Sequence, residues 1–213
     1  MAIIDMDFFK KNKLYFISAA AIIIITIGII SFIKYEGYIK EENASLMLGK
    51  AVRLYLAYHG KNTKSLSDSI SILKKLKAKY PGAKAHTIAN FYMASDYLYL
   101  KRFNKSAHYL LRYVKIYPVP HASNLSYLAY SELATDEINL KDYNSAIKYL
   151  AKMAKINNIK LREYVLLEEA SIYARLNKHK RAVAIYKGIL ENDALTKNRS
   201  YIENLIQLNS IKK

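Results

Sequence analysis

Five histidines, adjacent carboxylates such as Asp136-Glu137 and Glu168-Glu169, and six glycines are among the residues of this 213-residue sequence with types suited to ligation or catalysis. Helical metal sites place two ligands on one face four residues apart, as HExxH does, and His59, His86, His108, His121 and His179 have no such partner. No metal is expected. Gly28, Gly37, Gly49, Gly60, Gly82 and Gly188 form neither a GxGxxG nor a phosphate-binding loop, and no serine sits in a GxSxG elbow. Cofactor binding and acyl transfer therefore have no signature. Asp136-Glu137 and Glu168-Glu169 are neighbours in sequence, but successive residues on a helix point about 100° apart, which makes a poor acid/base pair. A solvated face is the expectation for them. The absence of cysteine excludes disulfides, thiolate zinc sites, cysteine nucleophiles and thiol-linked lipid anchors. The sequence reads as a non-enzyme.

Composition narrows the classes further. With 52% hydrophobic residues, three prolines and six glycines, the chain is neither collagen-like nor disordered. The formal charge of +17 invites a nucleic-acid or anionic-lipid reading, yet the basic residues are seven Arg and 27 Lys, dispersed without a block of five or six. A solvated surface accounts for them, and no nucleic acid is expected. Twenty tyrosines could stack on bases. Their helical spacing, as in Tyr92 with Tyr99 and Tyr109 with Tyr113, instead predicts packing against a core.

The elements that would carry any function begin with an apolar run, Leu14 to Ile33, of twenty uncharged residues between Lys13 and Lys34. As a helix it spans about 30 Å, the thickness of a hydrocarbon core. The small residues Ser18 to Ala21 lie at its start and its exit offers no cleavage site, so it predicts an uncleaved anchor in place of a signal peptide. Lys10, Lys11 and Lys13 on the short side, against a flank mixing Lys34 and Lys40 with Glu36, Glu41 and Glu42, place the N-terminus in the cytoplasm. The division is then 1–13 cytoplasmic, 14–33 transmembrane and 34–213 an extracytoplasmic domain.

That domain reads as all-α. Pro81, Pro118 and Pro120 fall between stretches of helical periodicity. Ser69, Ala107, Ala146 and Ala182 each open a short helix and are followed four residues later by Leu73, Leu111, Leu150 and Tyr186. A small residue admits a neighbouring helix and the large one fills the space beside it. The units from His121 and from about 160 carry Tyr130, Leu133, Ala134, Tyr143 and Ala146, then Leu166, Ala170, Tyr173 and Ala182, and resemble tetratricopeptide (TPR) repeats. Glu137 and His179 replace the usual aromatics, the turns lack the usual glycine, and Phe103 is displaced by one residue before Ala107. The expected fold is a TPR-like right-handed helical-repeat solenoid of units 41–81, 84–118, 121–156 and 160–193, closed by a helix over 196–211. Ser65 with Asp68 predicts a capping box and Asp142 a cap for the helix of Ala146, while Asn157-Asn158 and Asn192-Asp193 supply turns. Counting along the first helix of each pair gives a candidate groove of Ser95, Leu98, Tyr99, Ser131, Thr135, Ile138, Leu167, Ser171 and Arg175.

Over most of its length the chain resembles the YfgM-like family of bacterial inner-membrane proteins, ancillary subunits of the Sec translocon. The resemblance lies in the order of parts: a lysine-bearing N-terminus, one apolar span, an alanine-containing helix from Ala44 to Tyr58, divergent repeats and the closing helix around Tyr201 to Ile206. It implies a periplasmic TPR domain that meets the SecYEG channel and a periplasmic chaperone and assists exported chains. A scaffold for envelope assembly or cell division would use the same parts, and nothing in the sequence indicates a homo-oligomer.

Overall fold

The computed structural model describes residues 13–60, 63–118, 125–155, 159–192 and 198–211. Lys10, Lys11, Pro120, His121, Asn157, Asn158, Asp193 and Thr196 lie outside them. Nine helices and no strand occur among the described residues: α1 (Lys13–Leu56), α2 (Lys64–Lys79), α3 (Lys84–Tyr99), α4 (Phe103–Ile116), α5 (Ser126–Asn139), α6 (Tyr143–Met153), α7 (Ile159–Arg175), α8 (His179–Leu190) and α9 (Arg199–Ile211). Each helix packs on the next in the chain, and α3 also touches α1 and α5.

The boundary expected at residue 34 is not a structural break. α1 is one uninterrupted helix of 44 residues, about 66 Å long. From Ile22 to Ile33 its large apolar side chains are 49–69% exposed among the described residues, whereas Ala44 and Ala51 on the same rod are fully buried. This helix is long and apolar enough to cross a membrane. Thr26, one of the polar residues inside the run, donates its hydroxyl to the Ile22 carbonyl at 2.8 Å, so the helix satisfies it internally.

Three turns repeat one geometry. Lys101, Lys141 and Asn177 have φ of 56°, 64° and 57°, and the residue after each donates its N–H to the carbonyl of Tyr97, Glu137 and Tyr173 at 2.8–2.9 Å. These are left-handed helix stops in which a side-chain-bearing residue occupies the position glycine usually takes. They set the register of the pairs. Ala94, Ala134 and Ala170, all nearly or fully buried, stand seven residues before the turn residue. Five residues after it stand Ser106, Ala146 and Ala182, each fully buried.

This register corrects one expectation. In α4 the packed pair is Ser106 with Leu110, both 0% exposed, whereas the expected Leu111 is 47% exposed. The shift also removes the anomaly at Phe103, which stands three residues before Ser106 as Tyr143 does before Ala146. Leu73, Leu110 and Leu150, at most 1% exposed, each contribute roughly 1.5–3 kcal/mol by leaving water.

The cores follow the pairs. One cluster gathers Ala44, Ala51, Leu73 and Met93 from α1 to α3, a second spans α3 to α7 around Leu110, Tyr130 and Leu150, and a third joins Ala170, Tyr186 and Ile202 from α7 to α9. Tyr113, Tyr130 and Tyr186 are among the largest fully buried side chains, the packing role expected of the tyrosines, whereas Tyr92 and Tyr109 are half-buried and Tyr99, also expected to pack, is exposed. The last helix seals this end through Ile202, while its Leu208 and Ile211 stay 58% and 73% exposed. Of the expected caps, Asp142 forms, accepting from the Ser145 N–H at 3.1 Å and hydroxyl at 2.8 Å. The Ser65 capping box does not, because α2 starts at Lys64 and Ser65 already lies inside it.

Candidate partner-binding face

Helices α1, α3, α5 and α7 are the first members of the pairs, and the residues expected to line a groove all lie on the last three. With the turns as reference, Ser95, Thr135 and Ser171 are equivalent, as are Leu98 with Ile138 and Tyr99 with Arg175, while Ser131 corresponds to Leu167. The face they form is not uniformly open. Tyr99, 50% exposed, and Arg175 reach solvent; Leu98, Ser131, Thr135, Ile138, Leu167 and Ser171 are half-buried.

Ser95 is fully buried, and so belongs to the seam between helices and not to an open strip. Its hydroxyl faces both carboxylate oxygens of Glu132 at 2.8 and 2.9 Å, joining α3 to α5. One helix further, the Ser131 and Tyr164 hydroxyls lie 3.3 Å apart. Thr135 is occupied locally, donating to the Ser131 carbonyl at 3.0 Å. Polar bridges thus tie the first helices side by side, and a counting argument along one helix does not reveal them.

Three carboxylates under this face carry raised pKa values. Asp96 is fully buried, accepts the Ser69 hydroxyl at 2.7 Å and leaves Oδ1 without a partner. Burial pushes it up to about 7 against the lowering by Ser69. Asp136 is its counterpart one unit on, with Ser106 as the neighbouring hydroxyl. Neither oxygen has a partner at normal hydrogen-bond geometry, and burial pushes it up to about 7 against a lowering by the nearby Ser106 hydroxyl. Glu132 rises to about 8, again by burial, opposed by Ser95 and helped by the charges of Asp136 and Asp96. The solvated face expected for Asp136 is therefore wrong, since the side chain is sealed among helices; Glu137, Glu168 and Glu169 are half-buried. A neutral acid is the cheaper occupant of such a site.

A hollow in the face lies beside α1 and was missed by the sequence reading. Tyr55, Leu56, Tyr58, Gly60 and Tyr99 line this hollow of about 340 Å³. The Tyr99 ring lies 5.9 Å from Tyr55 and 5.3 Å from Tyr58, and Tyr55 meets Tyr92 edge-on at 5.6 Å. Burial, then Tyr99, raises the Tyr55 phenol. Rigid aromatic walls with hydroxyl tips, next to acids whose ionisation burial disfavours, suit an apolar segment bearing a few hydrogen-bonding groups. The signal in sequence was the pair Tyr55 and Tyr58 ahead of Tyr92 and Tyr99, which only the packing of α1 on α3 brings together.

Among the described residues no three His, Asp or Glu side chains are grouped to hold a metal ion. A second hollow, about 570 Å³, lies between the α7–α8 turn and α9, where His179 Nδ1 meets Asn209 Oδ1 at 2.9 Å. No protein-family model matches the chain, and no curated protein matches it.

Proposed function

We propose that the chain is a membrane-anchored, non-catalytic protein-binding module: α1 spans the bilayer with its N-terminus in the cytoplasm, and the following pairs form a TPR-like right-handed solenoid outside it. The observation that carries the reading is the recurrence of one turn at Lys101, Lys141 and Asn177 with an alanine seven residues before it and a small buried residue five after. Repeated pairs of this kind stack and leave an extended face. Asp96 and Asp136, two acids whose pKa burial raises, are 0% exposed, which suits a place in the packing between helices. The exposed apolar residues from Ile22 to Ile33 support the anchor.

As to partners, the order of parts resembles that of translocon ancillary subunits, and the proposed role is assistance to exported proteins beside a SecYEG-type channel, together with a periplasmic chaperone. Cross-linking in native membranes followed by identification of the attached proteins tests this. Channel components among the adducts support the role; recovery of division or cell-wall enzymes without any channel component would move the chain to an envelope scaffold.

A further inference from the structure

The packed part of the chain begins close to the apolar half of α1. Four to eight residues beyond Ile33, Gly37, Lys40 and Glu41 line a hollow of about 370 Å³ with Lys79, Tyr80 and Pro81 of the α2–α3 turn. Glu41 accepts the N–H groups of Lys84 at 2.9 Å and Ala85 at 3.4 Å, and so caps α3 from a neighbouring helix. Along a helix Gly37 stands about 6 Å and Glu41 about 12 Å beyond Ile33. A headgroup layer is roughly 5–8 Å deep on each side of the hydrocarbon. With α1 across a bilayer, the α2–α3 turn rests at the lipid surface.

Beside that turn a cleft of about 460 Å³ is lined by Lys77, His86, Asn90, Arg112, Lys115 and Ile116, without a carboxylate. None of the four basic residues forms an ion pair among the described residues. Lys77 Nζ donates to Asn90 Oδ1 and lies 5.0 Å over the Tyr109 ring, which fixes its direction. His86 Nδ1 is buried without a hydrogen-bond partner. Burial and then the Arg112 charge lower Lys77; burial, then Lys77, lowers His86, with Arg112 adding to it and the Lys77 backbone opposing. Basic residues in the last turn of a helix offset its dipole, and this accounts for Lys77, Lys79 and Lys115 taken singly. It does not account for Arg112, nor for Lys77 and Arg112, from two helices, lining one cleft with His86 at the start of a third. Like charges gathered without a counterion form a site whose field an anion would relieve.

We propose that the cleft of Lys77, His86, Arg112 and Lys115 seats the phosphate of an anionic lipid headgroup, fixing the tilt and rotation of the helical domain on the membrane. The proposal rests on the membrane-spanning reading of α1. Ile116, 54% exposed at the mouth, offers apolar contact to the lipid beyond its phosphate. A free phosphate has the same chemistry, but the position of the cleft next to the emergence of α1 favours lipid.

Full-length chain in nanodiscs of phosphatidylcholine with a minority of phosphatidylglycerol, analysed for retained lipid by native mass spectrometry, tests the site. Phosphatidylglycerol is expected to be retained in preference to phosphatidylcholine. Arg112→Gln/Lys115→Gln removes two exposed charges and is expected to reduce that preference by about 25-fold, near fivefold per charge. Lys178→Gln/Lys180→Gln, an equal charge change at the α7–α8 turn, is expected to leave it intact. An equal loss in both variants, or no lipid preference in the parent chain, overturns the proposal. Abolition of the preference by inorganic phosphate reassigns the cleft to a soluble anion and overturns the lipid source. Flotation with pure phosphatidylcholine vesicles separates the two levels: a chain that floats but shows no lipid preference loses only the cleft, whereas one that fails to float loses the anchor as well.

Discussion

Replacing Asp136 by Asn is expected to stabilise the helical domain in mildly alkaline buffer and to leave it nearly unchanged in acid. Asp136 is 0% exposed, neither oxygen has a partner at normal hydrogen-bond geometry, and burial raises its pKa from 3.8 to about 7. A carboxyl raised in the folded state contributes stability that is whole below its unfolded value and is lost as pH climbs through its folded value. The window is therefore about pH 4 to 7, with a lower plateau above. A shift of about three units at ~1.4 kcal/mol each sets a ceiling of about 4 kcal/mol. Relaxation and water entry around the ionised group bring the expected gain from Asp136→Asn to roughly 1–3 kcal/mol near pH 8. Near pH 4 both chains hold a neutral side chain there, and the difference should fall below about 1 kcal/mol. Urea titration of the full-length chain in detergent micelles, followed by helical circular dichroism at the two pH values, reads both numbers. Equal effects at the two pH values, or a variant weaker than the parent near pH 8, would refute the argument that burial holds an uncompensated acid here.

Other expectations follow from the turns, the register and the anchor. Leu110→Ala should cost about 2–5 kcal/mol in the same titration. Leu111→Ala, its exposed neighbour, should cost less than about 1 kcal/mol, and a reversed order would restore the register read from sequence. Lys101→Gly and Lys141→Gly should each raise stability by roughly 0.5–1 kcal/mol, because a left-handed residue loses its Cβ clash. Asn177→Gly should gain less, since asparagine tolerates that conformation; a loss at all three would contradict the turn assignment. Because the chain has no cysteine, Lys187→Cys provides a single thiol on an exposed position. Intact cells whose outer membrane has been permeabilised should label it with an impermeant maleimide, and labelling only after lysis would invert the proposed orientation.

What sequence could and could not show divides along physical lines. The apolar run, the helical pairs and the Asp142 cap were legible because each rests on local pattern: charge-free length, 3.6-residue period, a side chain three residues from its N–H. The continuity of α1 past residue 34 was not, since Lys34, Glu36 and Lys40 end the apolar run while remaining good helix formers, and α1 runs on without a turn. The α4 register slipped because Ser106 and Ala107 are both small, and a serine is counted polar although its hydroxyl can be buried. Asp136 was assigned to solvent on its charge. Ser106 and the neighbouring helices that seal it come from elsewhere in the chain, so no count along α5 would find them. The aromatic hollow at Tyr55, Tyr58 and Tyr99 likewise exists only through the contact of α1 with α3. The groove residues named from one helix at a time mixed seam and surface, with Ser95 in the seam and Tyr99 on the surface.

The claim on which the account depends is that the face of α1, α3, α5 and α7 is gripped by another protein. A photoreactive residue placed in turn at Tyr58, Tyr99, Ser131 and Arg175 of the anchored chain in native membranes, and at Lys105, Leu111 and Lys187 on second helices of the pairs as controls, measures it directly. The account predicts discrete protein adducts from the first group, strongest beside the tyrosine hollow, and none from the second. Adducts confined to the second group, or an irradiated chain that joins no protein from any of the four positions, would contradict it.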